Sequence, residues 1–170
     1  DQYGFGFEKR KCLDQMILNG QISFREAVTE MWESVTSLSL EEATDLIIKE
    51  IELDPGFLEF YEFAIQKGIP LTILSSGLNP LLKSYLNHYF PKGMHETTNI
   101  IANDIKIYQN RWIIEYYDTT IYGHDKGSHL RQRKLGFPND KLIFIGDGIS
   151  DLPAAKAADA TAKANTAKSA

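Results

Sequence analysis

Apolar residues recur every three or four positions from Glu8 to about Ile51, and this spacing predicts three helices. Leu13, Met16 and Ile17 share one stripe; Phe24, Ala27, Val28, Met31 and Val35 share a second; Ala43, Leu46, Ile47 and Ile51 share a third. Ser23 followed by Glu26, and Ser39 followed by Glu42, read as capping boxes that fix the starts of the second and third helices. Asp54-Pro55-Gly56 is turn chemistry. The expected unit is a small all-helical lobe over residues 1–54.

Beyond that turn the rhythm changes. Phe57 to Lys67 reads as a helix stopped by Gly68, and Ile69 to Leu74 as a buried strand ending in Ser75-Ser76-Gly77. Pro80 to Tyr89 reads as the next helix, with proline in its first turn. From Asn99 to Tyr117 the alternation predicts two or three short strands around a turn at Gln109-Asn110. Ser128 to Leu135 reads as a helix, and Leu142-Ile143-Phe144-Ile145 as a second wholly apolar strand ending in Gly146-Asp147-Gly148. Strands and helices in alternation, with strands apolar on both faces, signal an α/β fold with a buried parallel sheet and helices on both faces, over residues 55–160. In residues 161–170 nearly everything is Ala, Lys, Thr or Ser, so an edge strand near Asp159 is doubtful and a low-complexity, poorly ordered tail is expected.

Composition narrows the function. A net charge of −5 and a pI near 5.4 disfavour nucleic acid as a partner, which generally needs a basic face. Cys12 is the only cysteine, which excludes an intramolecular disulfide and a cysteine-rich metal site. His88, His95 and His129 show no metal-ligand spacing, and His124 reads as a surface residue. No apolar run approaches the ~18 residues that span a bilayer, and no signal-peptide pattern opens the chain, so a cytoplasmic location with no membrane partner is expected.

Three segments carry candidate chemistry. In Gly146-Asp147-Gly148-Ile149-Ser150-Asp151, two carboxylates follow the end of a buried strand, where doubly wound sheets place ligands. They either hold a hard cation such as Mg²⁺ or serve as turn and cap residues. Ser75, Ser76 and Gly77 close the other strand, where a hydroxyl and free backbone N–H groups suit a phosphoryl group; helix capping is the alternative. In Gly123-His124-Asp125-Lys126-Gly127 a lysine stands at a helix start, where negative charge is normally favoured. It is either an exposed loop residue or paired with an anion.

The order Ser75, then Lys126-Gly127, then Gly146-Asp147-Gly148-x-x-Asp151 resembles motifs two, three and four of the haloacid dehalogenase superfamily, in its phosphoserine-phosphatase-like branch with a helical cap. The resemblance covers residues 1 to about 160 and implies a Rossmannoid core. It implies Mg²⁺-dependent hydrolysis of a small phosphorylated metabolite through an aspartyl-phosphate. Ser75, Ser76, Gly77 and Lys126 would bind phosphate, Ser75 and Lys126 taking part in catalysis, and Asp147 and Asp151 would serve the metal. The superfamily's first motif, Asp-x-Asp at the end of the central strand, is absent from the sequence. The expectation is therefore a truncated form lacking both nucleophile and central strand, inactive and structurally compromised alone.

Phosphoserine phosphatases place an arginine on the second cap helix where this chain has Met31. The string from Asn19 to Met31 looks closer to the methionine-salvage phosphatases of 2-hydroxy-3-keto-5-methylthiopentenyl-1-phosphate and their fungal relatives. Arg25 is either solvent-facing or a substrate clamp. Hydrolysis of phosphoserine or another small phosphorylated metabolite, and non-catalytic binding of a phosphorylated ligand, are the alternatives.

Overall fold

The computed structural model describes residues 3–90, 98–109 and 111–163. Three helices lead: α1 (Phe7–Leu18), α2 (Phe24–Glu33) and α3 (Leu40–Glu50). Both capping boxes form. Ser23 Oγ accepts from the Glu26 N–H at 3.1 Å while the Glu26 carboxylate accepts from the Ser23 N–H at 2.8 Å, and Ser39 with Glu42 repeats the arrangement. Donors that a helix start leaves bare are thereby satisfied. Helix α4 (Pro55–Gln66) begins with Asp54 accepting from the Gly56 N–H. It stops at Gly68, whose φ of +63° suits glycine.

The core follows as β1 (Leu71–Leu78), α5 (Asn79–Tyr89), β2 (Thr98–Tyr108), β3 (Arg111–Glu115), α6 (Lys126–Gly136) and β4 (Ile143–Gly146). A 3₁₀ turn (Ile149–Asp151), α7 (Leu152–Ala157) and β5 (Ala160–Lys163) complete it. Strands β1 and β2 run parallel, β2 and β3 form an antiparallel hairpin, and β4 and β5 pair in parallel as a separate sheet. At the hairpin turn Gln109 adopts φ +49°; Asn110 lies outside the described residues, as do His95 and residues 164–170.

The edge strand held doubtful for its alanines forms, as β5. Its ladder to β4 joins Ile143 with Ala160 and Ile145 with Ala162, and that pairing is made by backbone groups rather than by large side chains. Between β4 and β1 no ladder is present among the described residues. Ile143 and Ile145 of β4 are accordingly 71% and 46% exposed, although a strand apolar on both faces is suited to burial.

The helical lobe does not stand apart from the core. Ala43 of α3 packs with Leu78, Leu81 and Trp112, and Trp32 of α2 stacks on Trp112 with ring centroids 5.3 Å apart. Trp112 is fully buried, and its Nε1–H donates to the Leu38 carbonyl at 2.9 Å. A second cluster, built on Leu86 and Phe90, joins α4 and α5 to β1. Replacing Trp112 by alanine is expected to cost about 3–5 kcal/mol, read as a lowered urea midpoint, because both the ring and its hydrogen bond are lost.

Candidate phosphate site

The site is assembled at the C-terminal ends of β1 and β4 and at the start of α6. Register between β1 and β2 breaks after Leu74↔Ile101 and resumes at Leu78↔Asn103. Ser75 and Ser76 lie in that break. Ser75 Oγ accepts from the Gly77 N–H at 3.1 Å, so this N–H is already engaged rather than offered to a ligand. The Ser76 hydroxyl is buried without a hydrogen-bond partner among the described residues. Asn103, 1% exposed, donates to the Ser76 carbonyl at 2.8 Å and accepts from the Tyr117 N–H at 3.0 Å.

The residues leading into α6 are gathered by Asp118. Its carboxylate accepts from the Thr120 N–H at 2.9 Å, the Thr120 hydroxyl at 2.5 Å and the Asp125 N–H at 2.6 Å. Asp125 then caps α6 by accepting from the Ser128 N–H at 3.0 Å. His124, expected at the surface, is fully buried, with Nδ1 2.9 Å from the Ser75 carbonyl and its ring against Tyr117. The loop folds inward because Asp118 pulls Asp125 toward it.

Lys126 opens α6 and is 6% exposed. Its Nζ lies 2.5 Å from Asp151 Oδ1 and 3.5 Å from Ser150 Oγ. Asp151 Oδ2 accepts the N–H groups of Gly148 at 2.9 Å and Asp147 at 3.1 Å. Burial pushes the Asp151 carboxyl up, but the Lys126 hydrogen bond, the Gly148 N–H, the Lys126 charge and the Asp147 N–H hold it below the usual carboxylate range. Gly127 makes the approach possible: a Cβ there would sit 2.5 Å from the Pro153 carbonyl oxygen of α7. The sequence pairing of Lys126 with an anion thus has a partner inside the chain, Asp151.

A run of contacts therefore links the segments, from Ser75 through His124 and Lys126 to Asp151. Asp147, in the turn after β4, is exposed. Oxygen donors suit Mg²⁺, which is commonly held by one or two carboxylates plus water and substrate phosphate. Asp147 fits the role of direct ligand. Asp151 has both oxygens engaged and fits a supporting one, and no group of three or more candidate ligands occurs among the described residues. Arg25 is half-buried: its guanidinium lies over the Tyr116 ring at 4.3 Å and donates to the Asp118 carbonyl at 3.2 Å. Thr29 and Tyr116 meet at 2.6 Å beside it, so α2 is braced on the loop that feeds α6.

The family profile of haloacid dehalogenase-like hydrolases matches residues 5–156, and the chain belongs to that family. It is 38% identical over 160 residues to Pdp3-interacting factor 1 of Schizosaccharomyces pombe, covering 92% of this chain and 69% of that protein. To the polyol phosphate phosphatase PYP1 of Saccharomyces cerevisiae it is 33% identical, covering 94% of this chain and 69% of the yeast enzyme. To the 2-hydroxy-3-keto-5-methylthiopentenyl-1-phosphate phosphatase of Bacillus thuringiensis it is 29% identical, covering 84% of this chain and 65% of that enzyme. In fold it is similar to a phosphoserine phosphohydrolase-like protein from Francisella tularensis, with a TM-score of 0.63 and 20% identity over 88% of this chain and 67% of that one.

Because the Asp151 carboxyl is held below its ordinary value in the folded state, its contribution to stability is complete above the unfolded value of 3.8 and is lost as pH falls through the folded one. Urea midpoints across an acid pH series are expected to fall more steeply for the wild type than for D151N. At neutral pH D151N should be less stable by about 1.5–3 kcal/mol, the worth of a charged hydrogen bond.

Proposed function

We propose that the protein is a Mg²⁺-dependent hydrolase of small-molecule phosphomonoesters. The observation carrying this reading is the buried Lys126–Asp151 pair, joined through His124 to the serines near the end of β1, on the side where β1 and β4 present their C-terminal ends. Ser75 Oγ–H would donate to a phosphoryl oxygen, its acceptor side being occupied by Gly77. The Lys126 ammonium, held in place by Asp151, would neutralise phosphate charge. Asp147 would hold Mg²⁺, with Asp151 orienting the segment around it; the metal supplies further charge neutralisation at the phosphoryl oxygens. In the aspartyl-phosphate route a carboxylate attacks phosphorus, the ester oxygen leaves with the alcohol and takes up a proton, and water cleaves the acyl phosphate to carboxylate and inorganic phosphate. The Asp-x-Asp that would supply this carboxylate is not among the 170 residues.

The substrate body is proposed to be uncharged and hydroxylated rather than an amino acid. Arg25, an arginine on α2, is spent on Tyr116 and Asp118, and Met31 stands where a substrate carboxylate would need a cation. The yeast relative is a polyol phosphate phosphatase and the Bacillus relative a 2-hydroxy-3-keto-5-methylthiopentenyl-1-phosphate phosphatase, both names denoting esters of this kind.

The intact gene product, assayed with Mg²⁺, is expected to release phosphate from glycerol phosphate or 2-hydroxy-3-keto-5-methylthiopentenyl-1-phosphate at least about tenfold faster than from phosphoserine, and to stop on EDTA addition. The 170-residue chain alone is expected to turn over none of them. Saturable phosphate binding without turnover by the intact product would replace the hydrolase reading with a binding domain.

A further inference from the structure

Resting on the phosphate-site reading above, we infer that His124 is a positioning residue: its Nδ1–H, bound to the Ser75 carbonyl, fixes the phosphate-gripping end of β1 relative to Lys126. Ser75 and Ser76 occupy the stretch where the ladder to β2 loses register. Their carbonyls are taken by two side chains instead, His124 on Ser75 at 2.9 Å and Asn103 on Ser76 at 2.8 Å. A carbonyl only accepts, so the shared proton resides on Nδ1 and the neutral ring leaves Nε2 as an acceptor. Burial and the Lys126 charge depress the imidazole pKa, against the opposing effects of the Ser75 carbonyl, Asp118 and Asp125; this agrees with a neutral ring.

Nε2 is buried and has no hydrogen-bond partner among the described residues. An unpaired buried acceptor costs free energy that a phenylalanine filling the same space would not incur. Packing against Tyr117 therefore does not account for the imidazole, and the contribution particular to histidine is the Nδ1 donor. That donor acts across the site, because the His124 carbonyl accepts the Lys126 N–H at 3.0 Å. Ser75, His124 and the root of the Lys126 side chain consequently form one linked unit.

The test compares H124N, whose amide nitrogen can occupy the Nδ1 position, with H124F, which retains the ring but no donor. Inorganic phosphate is titrated calorimetrically into the intact gene product with Mg²⁺, and melting temperatures are recorded alongside. The dissociation constant is expected to rise about tenfold in H124F and to stay within about threefold of wild type in H124N. If H124F does not fold, H124Q takes its place with the same expected loss, its donor lying one methylene beyond the Nδ1 position. Wild-type affinity in the donor-less variant, or equal loss in both variants, overturns the inference while leaving the phosphate site intact. Absence of saturable phosphate binding by the wild type overturns the site reading itself.

Discussion

A buried ammonium constrains everything packed around it. Removing such a charge from water costs several kcal/mol unless a counter-charge and hydrogen bonds replace the lost hydration. The Lys126 side chain is 8% exposed and that of Asp151 14%, so each depends on the other. Asp151 can hold the lysine because its second oxygen is fixed by the N–H groups of Asp147 and Gly148. Those groups are in place because β4 ends in a glycine-flanked turn that runs into a 3₁₀ helix. Gly127 is required by the same geometry, since any Cβ would strike the Pro153 carbonyl. One ion pair thus dictates the residue after the lysine, the turn after β4 and the approach of α6 to α7.

The loop delivering Lys126 also carries the helical lobe. Asp118 gathers Thr120 and Asp125 with its carboxylate and receives Arg25 on its carbonyl. Tyr116, just before it, lies under the Arg25 guanidinium and donates to the Arg25 carbonyl at 2.9 Å. The lobe and the site therefore share a single stretch of backbone. A change in how α2 sits on Tyr116 is transmitted to Asp118 and Asp125, and through the α6 cap to Lys126. This gives the lobe a physical route to the Lys126–Asp151 pair.

Much of this was legible in the amino-acid order. The capping boxes and the existence of the two apolar strands are written in local residue chemistry and form in the structure. Asp54-Pro55-Gly56, by contrast, caps and opens α4 rather than making a separate turn, and β4, read as buried, leaves its isoleucines exposed. The partners of Lys126 and Arg25 were not legible, because such pairings join residues far apart in sequence: Asp151 for one, Tyr116 and Asp118 for the other. His124 was misread for a related reason. Nothing local marks it as buried; the inward turn of its loop depends on the carboxylate of Asp118. Asn103 did carry a signal that went unused: a short polar amide following Ile100-Ile101-Ala102, where an apolar strand has no evident need of one. Edge strand β5 was doubted on its alanines, a side-chain criterion applied to a pairing that the backbone makes.

The same contacts bear on how the two sheets are held. Strands β1 and β4 share no ladder among the described residues, and the β4 isoleucines are open to solvent. The joints between the sheets are therefore tertiary: Ser75 to His124 on one side, Lys126 to Asp151 on the other, with the first turn of α6 between them. A backbone ladder resists sliding through many parallel hydrogen bonds, whereas these joints are few, and one of them is electrostatic. The distance between Ser75 and Asp147, on which the proposed grip of a phosphoryl group depends, is thus set by side chains that a ligand's charge would engage directly. An anion reaching Lys126 competes with Asp151 for the ammonium, and a cation on Asp147 adds positive charge beside the Asp151 carboxylate. On the proposed reading the two ligands bound together would replace what each takes away, so such a site would favour joint occupancy by phosphate and a divalent cation over either alone.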